Sequence, residues 1–191
     1  MAEMRWYAGM AKRLFIALEL PESCRRKLVS LGIPIRGVRW LAADQLHLTL
    51  AFLGEVSGEA ESNLREKLAG VHVPPFILPI QGVGTFGGSY PHAIWAGVGT
   101  AHPHLFALHQ RIHDALLAAH FNPELRLFRP HVTLARLRDV SAQTLRPFLK
   151  SHESEDFCLV EVAAFTLLSS KAGPEGSIYT AEMRYDLKAH A

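Results

Sequence analysis

Residues 13–20, RLFIALEL, are apolar almost without interruption, which is how a strand buried on both faces reads. Pro21, Glu22 and Ser23 open a helix running to about Leu31, where Gly32 and Pro34 close it. A short strand follows at 38–41 and a longer one from His47 to Gly54. In the longer strand Leu48, Leu50 and Phe52 share one parity and form an apolar face, so His47 and Thr49 point together to the other side. Ser57 caps a helix over 58–69, and strands are expected at about 75–86 and 92–98 around the turn-rich stretch 87–91. Leu105, Leu108, Ile112, Leu116 and Leu117 recur at helical spacing and predict a helix over about 102–120. The chain returns as a strand at 130–137, then a helix from Ser141 to about Lys150, then strands near 157–169 and 177–187. Strands and helices therefore occupy both halves, and the class is α+β with mostly antiparallel sheets.

One line of this pattern is written twice. HLTLAFLGEVS, residues 47–57, lies on HVTLARLRDVS, residues 131–141, with identity at seven of the eleven positions. Both copies lead from a strand into a Ser-capped helix. Two copies do not make a solenoid, which needs several stacked units, and two related lobes facing one another fit better. The expected architecture is bilobal, with two pseudo-symmetric lobes and a central cleft, over a single domain at 12–191 preceded by an N-terminal extension at 1–11.

Length and composition narrow the class without changing it. A chain of 191 residues, 49% hydrophobic and 20% charged, can bury an ordinary core unaided by cofactor or disulfide. The formal net charge of +2 gives little general attraction to a long nucleic acid, so contact with RNA must be local. Cys24 and Cys158 are too few for a disulfide framework or a thiolate zinc site; a reducing compartment is the simpler inference, with a single bridge left open. The opening residues lack an apolar run long enough to span a bilayer, and the reading is a cytoplasmic monomer with no membrane contact.

The repeat also carries the chemistry. His and Thr at i and i+2 of a strand project from one face, so two facing copies bring two imidazoles and two hydroxyls around a common centre. Two histidines suit a reaction in which one group takes a proton while another gives one, because imidazole titrates near neutral pH. Cyclic phosphodiester hydrolysis has that need, with in-line displacement placing acid and base on opposite sides of phosphorus. The hydroxyls would donate to the non-bridging oxygens, and the scheme needs no metal.

In their frames RWLAADQLHLTLAFLGEV and FRPHVTLARL, the two stretches resemble the paired HxTx motifs of the two-histidine phosphoesterase superfamily. The likeness is greatest to the RNA 2',3'-cyclic phosphodiesterases, once called 2'-5' RNA ligases, and RLFIALELP and AIWAGV extend it over roughly residues 13–187. It implies hydrolysis of a terminal 2',3'-cyclic phosphate to a 2'-phosphomonoester. It also implies His47 as proton donor, His131 as acceptor, and Thr49 and Thr133 as phosphate ligands. The expected partners are RNA ends or small cyclic-phosphate nucleotides. The alternatives are an RNA-end-binding module with little turnover, a phosphodiesterase of small nucleotides, or 2'-5' ligation as the reverse reaction.

Several residues stand beside this reading. Strict alternation places Arg136 on the apolar face, where the first copy has Phe52; a bulge would re-aim it toward substrate phosphate or a neighbouring carboxylate, and a structural ion pair or a frayed strand end is the alternative. His109 and His113 stand at i and i+4, but Gln110 sits where an HExxH zinc site has Glu, so a solvated helix face is expected and no metal or other cofactor. His102 and His104 are read as ordinary loop residues, Phe15 and Trp95 as core, and Tyr90 is left open as a base-stacking candidate. Lys12, Arg13, Arg39 and Arg129 form either a rim for RNA backbone or plain solvated surface.

Overall fold

The computed structural model describes residues 11–100, 102–123, 127–174 and 176–189; most of the expected N-terminal extension lies outside them. In chain order the elements are β1 (Lys12–Glu19), α1 (Glu22–Val29), β2 (Val38–Trp40), a 3-10 turn (Ala43–Gln45), β3 (His47–Val56) and α2 (Gly58–Ala69). Then come β4 (Phe76–Phe86), β5 (Ala93–Val98), α3 (Pro103–Ala118), β6 (His131–Leu137), α4 (Ala142–Ser151), β7 (Asp156–Val162), β8 (Ala164–Gly173) and β9 (Gly176–Asp186). The Ser57 and Ser141 hydroxyls accept from the backbone N–H groups of Ala60 and Thr144, so both copies of the repeat start their helix with the same cap.

Among the described residues nine strands form one antiparallel sheet in the order β7-β4-β5-β6-β3-β1-β8-β9, with β2 pairing β6 beside β3. Along that path four strands lie on each side of the junction between β6 and β3, and β2 adds a fifth on the β6 side. That junction rests on one registered pair, Leu48 opposite Val132, both fully buried. These residues are equivalents in the repeat, so a pseudo-two-fold axis passes between them.

The stretch expected as one strand at 157–169 is two strands that part at Ala163. β7 pairs β4 at one edge of the sheet, and β8 pairs β1 near the other. A single residue bridges the two, so the sheet curls enough to bring its ends together. The burial pattern changes at the same place: Phe157, Val160 and Val162 are buried in a partly exposed strand, whereas Phe165 to Ser169 is buried throughout.

β1 is covered on both faces. Leu14, Ile16 and Leu18 join the main core, and Phe15 and Ala17 pack with Leu168 and the partly exposed Tyr179 on the opposite side. Each fully buried Leu, Ile or Phe is worth about 1.5–3 kcal/mol relative to exposure. α2 lies against α3, and α1 against β7. In that last contact Cys24 and Cys158 are disulfide-bonded, with Cα atoms 5.5 Å apart across 134 residues of sequence. The reduced thiols taken as the simpler reading are therefore replaced by a tie between a helix of the first half and an edge strand of the second. No helix among the described residues is long and apolar enough to cross a membrane.

Candidate active site

The register at the sheet junction decides where the repeated His and Thr fall. With Leu48 opposite Val132 in an antiparallel pair, Thr49 lies across from His131, and Thr133 across from His47. Side chains directly opposite have Cβ atoms about 4.5–5.5 Å apart, so four polar groups share a patch around the axis. All four are partly buried, between the fully buried Leu48 and Leu50 in one copy and Val132 and Leu134 in the other.

Each imidazole is held by the backbone two residues before it. His131 Nδ1–H donates to the Arg129 carbonyl at 2.7 Å, and His47 is hydrogen-bonded to the Gln45 carbonyl. A carbonyl can only accept, so for His131 the bond fixes the neutral ring as the tautomer with its proton on Nδ1 and leaves the Nε2 lone pair for the cleft. Rings brace both: Phe15 and Tyr179 stand 4.9 and 5.0 Å from His47, and Phe86 stands 4.8 Å from His131. Burial pushes His47 down to about 4, and the positive charge of His131 and Arg136 adds to this against the pull of the Gln45 carbonyl. His131 is also lowered by burial, with Arg136 adding and the Arg129 carbonyl opposing.

Arg136 reaches this field because of a bulge. In the β5–β6 ladder Ile94 pairs Ala135 and Trp95 pairs Thr133, so Leu134 is the extra residue. In the β1–β3 ladder Ile16 pairs Ala51 and Ala17 pairs Thr49, so Leu50, the equivalent residue, is extra. Each bulge turns two successive side chains inward and reverses the parity beyond. Leu50 and Ala51 are both buried, as are Leu134 and Ala135, while Phe52 is 62% exposed and Arg136 is exposed. Strict alternation is thus corrected at one position in each copy: Phe52 and Arg136 leave the apolar face for the side that carries the His and Thr.

A cleft of about 540 Å³ opens here. Thr49, Phe52, Phe86 and His131 line one part; His109, His113, Phe128 and Arg129 line another. Residues 32–174 match the family described as the 2'-5' RNA ligase superfamily. The chain belongs to that superfamily. A protein of Archaeoglobus fulgidus named RNA 2',3'-cyclic phosphodiesterase is 31% identical over 87% of this chain and 96% of its own length. One of the same name from Escherichia coli is 35% identical over 71% of this chain and 77% of its own. Among solved structures, E. coli LigT complexed with 3'-AMP superposes with a TM-score of 0.77 at 30% identity, covering 93% of this chain and 98% of that one.

Against this superfamily fold, the remaining candidate residues sort by position. The solvated face expected for His109 and His113 is corrected: both are partly buried and line the cleft, because the segment before β6 folds back over α3 and stacks Phe128 on His109. His102 caps α3, accepting at Nδ1 from the His104 backbone N–H. Lys12 is committed elsewhere, bridging Glu182 at 2.7 Å and Glu61 at 3.6 Å, whereas Arg129 does line the cleft. Trp95 lies flat over Gly84 and Gly97, where any Cβ would meet its ring, and Tyr90 is 75% exposed in its turn. Among the described residues no group of three or more His, Cys, Asp or Glu side chains is gathered as a metal site needs. Sequence patterning does not mark Phe52, Phe86 and Phe128 as cleft residues. Phe52 had a usable signal, since it occupies the repeat position of Arg136.

Proposed function

We propose that this protein hydrolyses the 2',3'-cyclic phosphate at an RNA end to a 2'-phosphomonoester. His131 Nε2 takes a proton from water as its oxygen attacks phosphorus, and His47 gives a proton to O3' as the P–O3' bond breaks. The products are the 2'-phosphate and a free 3'-hydroxyl, and the two imidazoles restore their protons through solvent. Thr49 and Thr133 donate to the non-bridging oxygens, Arg136 offsets their charge, and the scheme uses no metal.

The observation that carries this reading is the pair of backbone-anchored imidazoles on opposite sides of a pseudo-two-fold axis, close enough that His131 lowers His47. Two neutral bases suit the free site. Loading His47 with a proton falls to the substrate's anionic phosphate, whose charge opposes the burial and Arg136 effects. The names of the relatives from A. fulgidus and E. coli point to the same substrate group, and the 3'-AMP complex of LigT to a nucleotide-sized ligand.

The test is incubation, with chelator present, with a short RNA ending in a 2',3'-cyclic phosphate, the product's phosphate position being assigned by mass and phosphatase sensitivity. A 2'-phosphate is expected, with turnover falling by about 10²–10⁴ in His47→Ala and in His131→Ala. Unchanged RNA with retained affinity, in folded protein, would replace the hydrolase by an end-binding module.

A further inference from the structure

Of the acid, base and phosphate ligands proposed above, His131 and Thr49 line the cleft and account for only part of it. The rest is a column of flat rings on the α3 side: His113 and His109 have centroids 4.2 Å apart, and His109 and Phe128 are stacked at 3.9 Å and 15°. Phe106 closes it edge-on against Phe128 at 6.2 Å. His109 and His113 sit one helical turn apart on α3, and Phe128 and Arg129 come from the segment leading into His131. Within the column, Phe128 stands three residues along the chain from one proposed catalytic group, His131.

We infer that this ring column is a stacking subsite for the nucleobase of the nucleotide on the 5' side of the cyclic phosphate, so that the preferred substrate is an RNA chain and not a cyclic mononucleotide. The inference rests on the hydrolase reading for its substrate. The chemistry is that of single-strand binding, in which flat side chains hold bases by their faces and a nearby cation meets the backbone. Arg129 supplies that cation in the same cleft. The histidines serve as neutral rings: burial pushes His109 down to about 4, with His113 adding, and burial also holds His113 below its ordinary value, so near neutral pH the rings of the column carry no charge. A cyclic mononucleotide fills the phosphate patch and leaves the column empty.

The test compares adenosine 2',3'-cyclic phosphate with a dinucleotide of adenosine ending in the same group, in wild type, His109→Ala/His113→Ala and His109→Phe/His113→Phe. Alanine preserves the helix and phenylalanine preserves a ring without a titrating nitrogen. Stacking of one base predicts that wild type favours the dinucleotide in kcat/KM by about 5- to 150-fold. The alanine pair should bring that ratio to within about twofold of unity with mononucleotide turnover changed less than about twofold, and the phenylalanine pair should restore the preference. A wild-type ratio near one, a ratio that survives in the alanine pair, or equal loss on both substrates would overturn the inference. Dissociation constants for the two 2'-phosphate products, measured in parallel by calorimetry, carry the same expected ratio. If wild type turns over neither substrate the hydrolase reading fails, and the binding ratio still decides for or against the subsite.

Discussion

Replacing His47 by Gln should flatten the acid side of the stability profile. Burial holds this imidazole at about 4 in the folded chain, whereas in the unfolded chain it titrates near its ordinary 6.5. The folded value is depressed, so its contribution is intact above pH 6.5 and is lost as pH falls toward 4, because the unfolded state takes the proton first. Linkage over that interval gives a loss of about 2 kcal/mol between pH 7 and 5, and about 3 kcal/mol by pH 4. His131 and His109 shift in the same direction, so the diagnostic quantity is the difference between the two proteins. Urea unfolding of wild type and His47→Gln at pH 7, 6, 5 and 4 measures it. The curves should converge in acid, with the wild type losing the additional amount. Inorganic phosphate should flatten the wild-type curve by stabilising the charged ring. Parallel curves for the two proteins, with the same loss from pH 7 to pH 4, would refute the reasoning, since they would mean that His47 is not buried as the structure has it.

Two further outcomes test the frame that holds the site. Leu48→Ala removes a fully buried side chain from the sole registered pair between β3 and β6 and should cost about 3–5 kcal/mol in urea unfolding, whereas Phe52→Ala, on the exposed side of the same strand, should cost far less. The Cys24–Cys158 bond closes a span of 134 residues, so reductant should lower wild-type stability by up to about 5 kcal/mol and leave a Cys24→Ser/Cys158→Ser protein unmoved. An unchanged urea midpoint on reduction would mean that the two sulfurs are not linked.

The elements were readable because most of them obey a single periodicity. β1 reads as a continuous apolar run and is buried on both faces, and α3 follows the spacing of Leu105, Leu108, Ile112 and Leu116. Periodicity misleads where the period changes within an extended stretch. At Ala163 a half-exposed strand passes into one whose first half is buried on both faces, with no turn residue to mark the change, and sequence patterning joins the two. At Leu50 and Leu134 two apolar residues in succession are the mark of a bulge, yet periodicity alone treats them as noise in an alternation. His47, Thr49, His131 and Thr133 were legible from the repeat. The positions of His109 and His113 were not, because what turns their helix face into a cleft wall is Phe128, which arrives from a separate segment of chain.

The twin bulges also have a consequence for how a duplicated scaffold divides labour. Two identical halves related by a two-fold axis would give their imidazoles identical surroundings, and neither could be singled out to hold a proton while the other lacks one. The cleft-side residues of β3 and β6 run His, Thr, Phe and His, Thr, Arg, so the symmetry is broken at one place, where Phe52 answers to Arg136. A slip of one residue in each strand is what delivers that place to the cleft. Were β6 to keep every residue but lose the slip, strict alternation would turn the guanidinium inward, and Arg136 would no longer set the two halves apart on the cleft side.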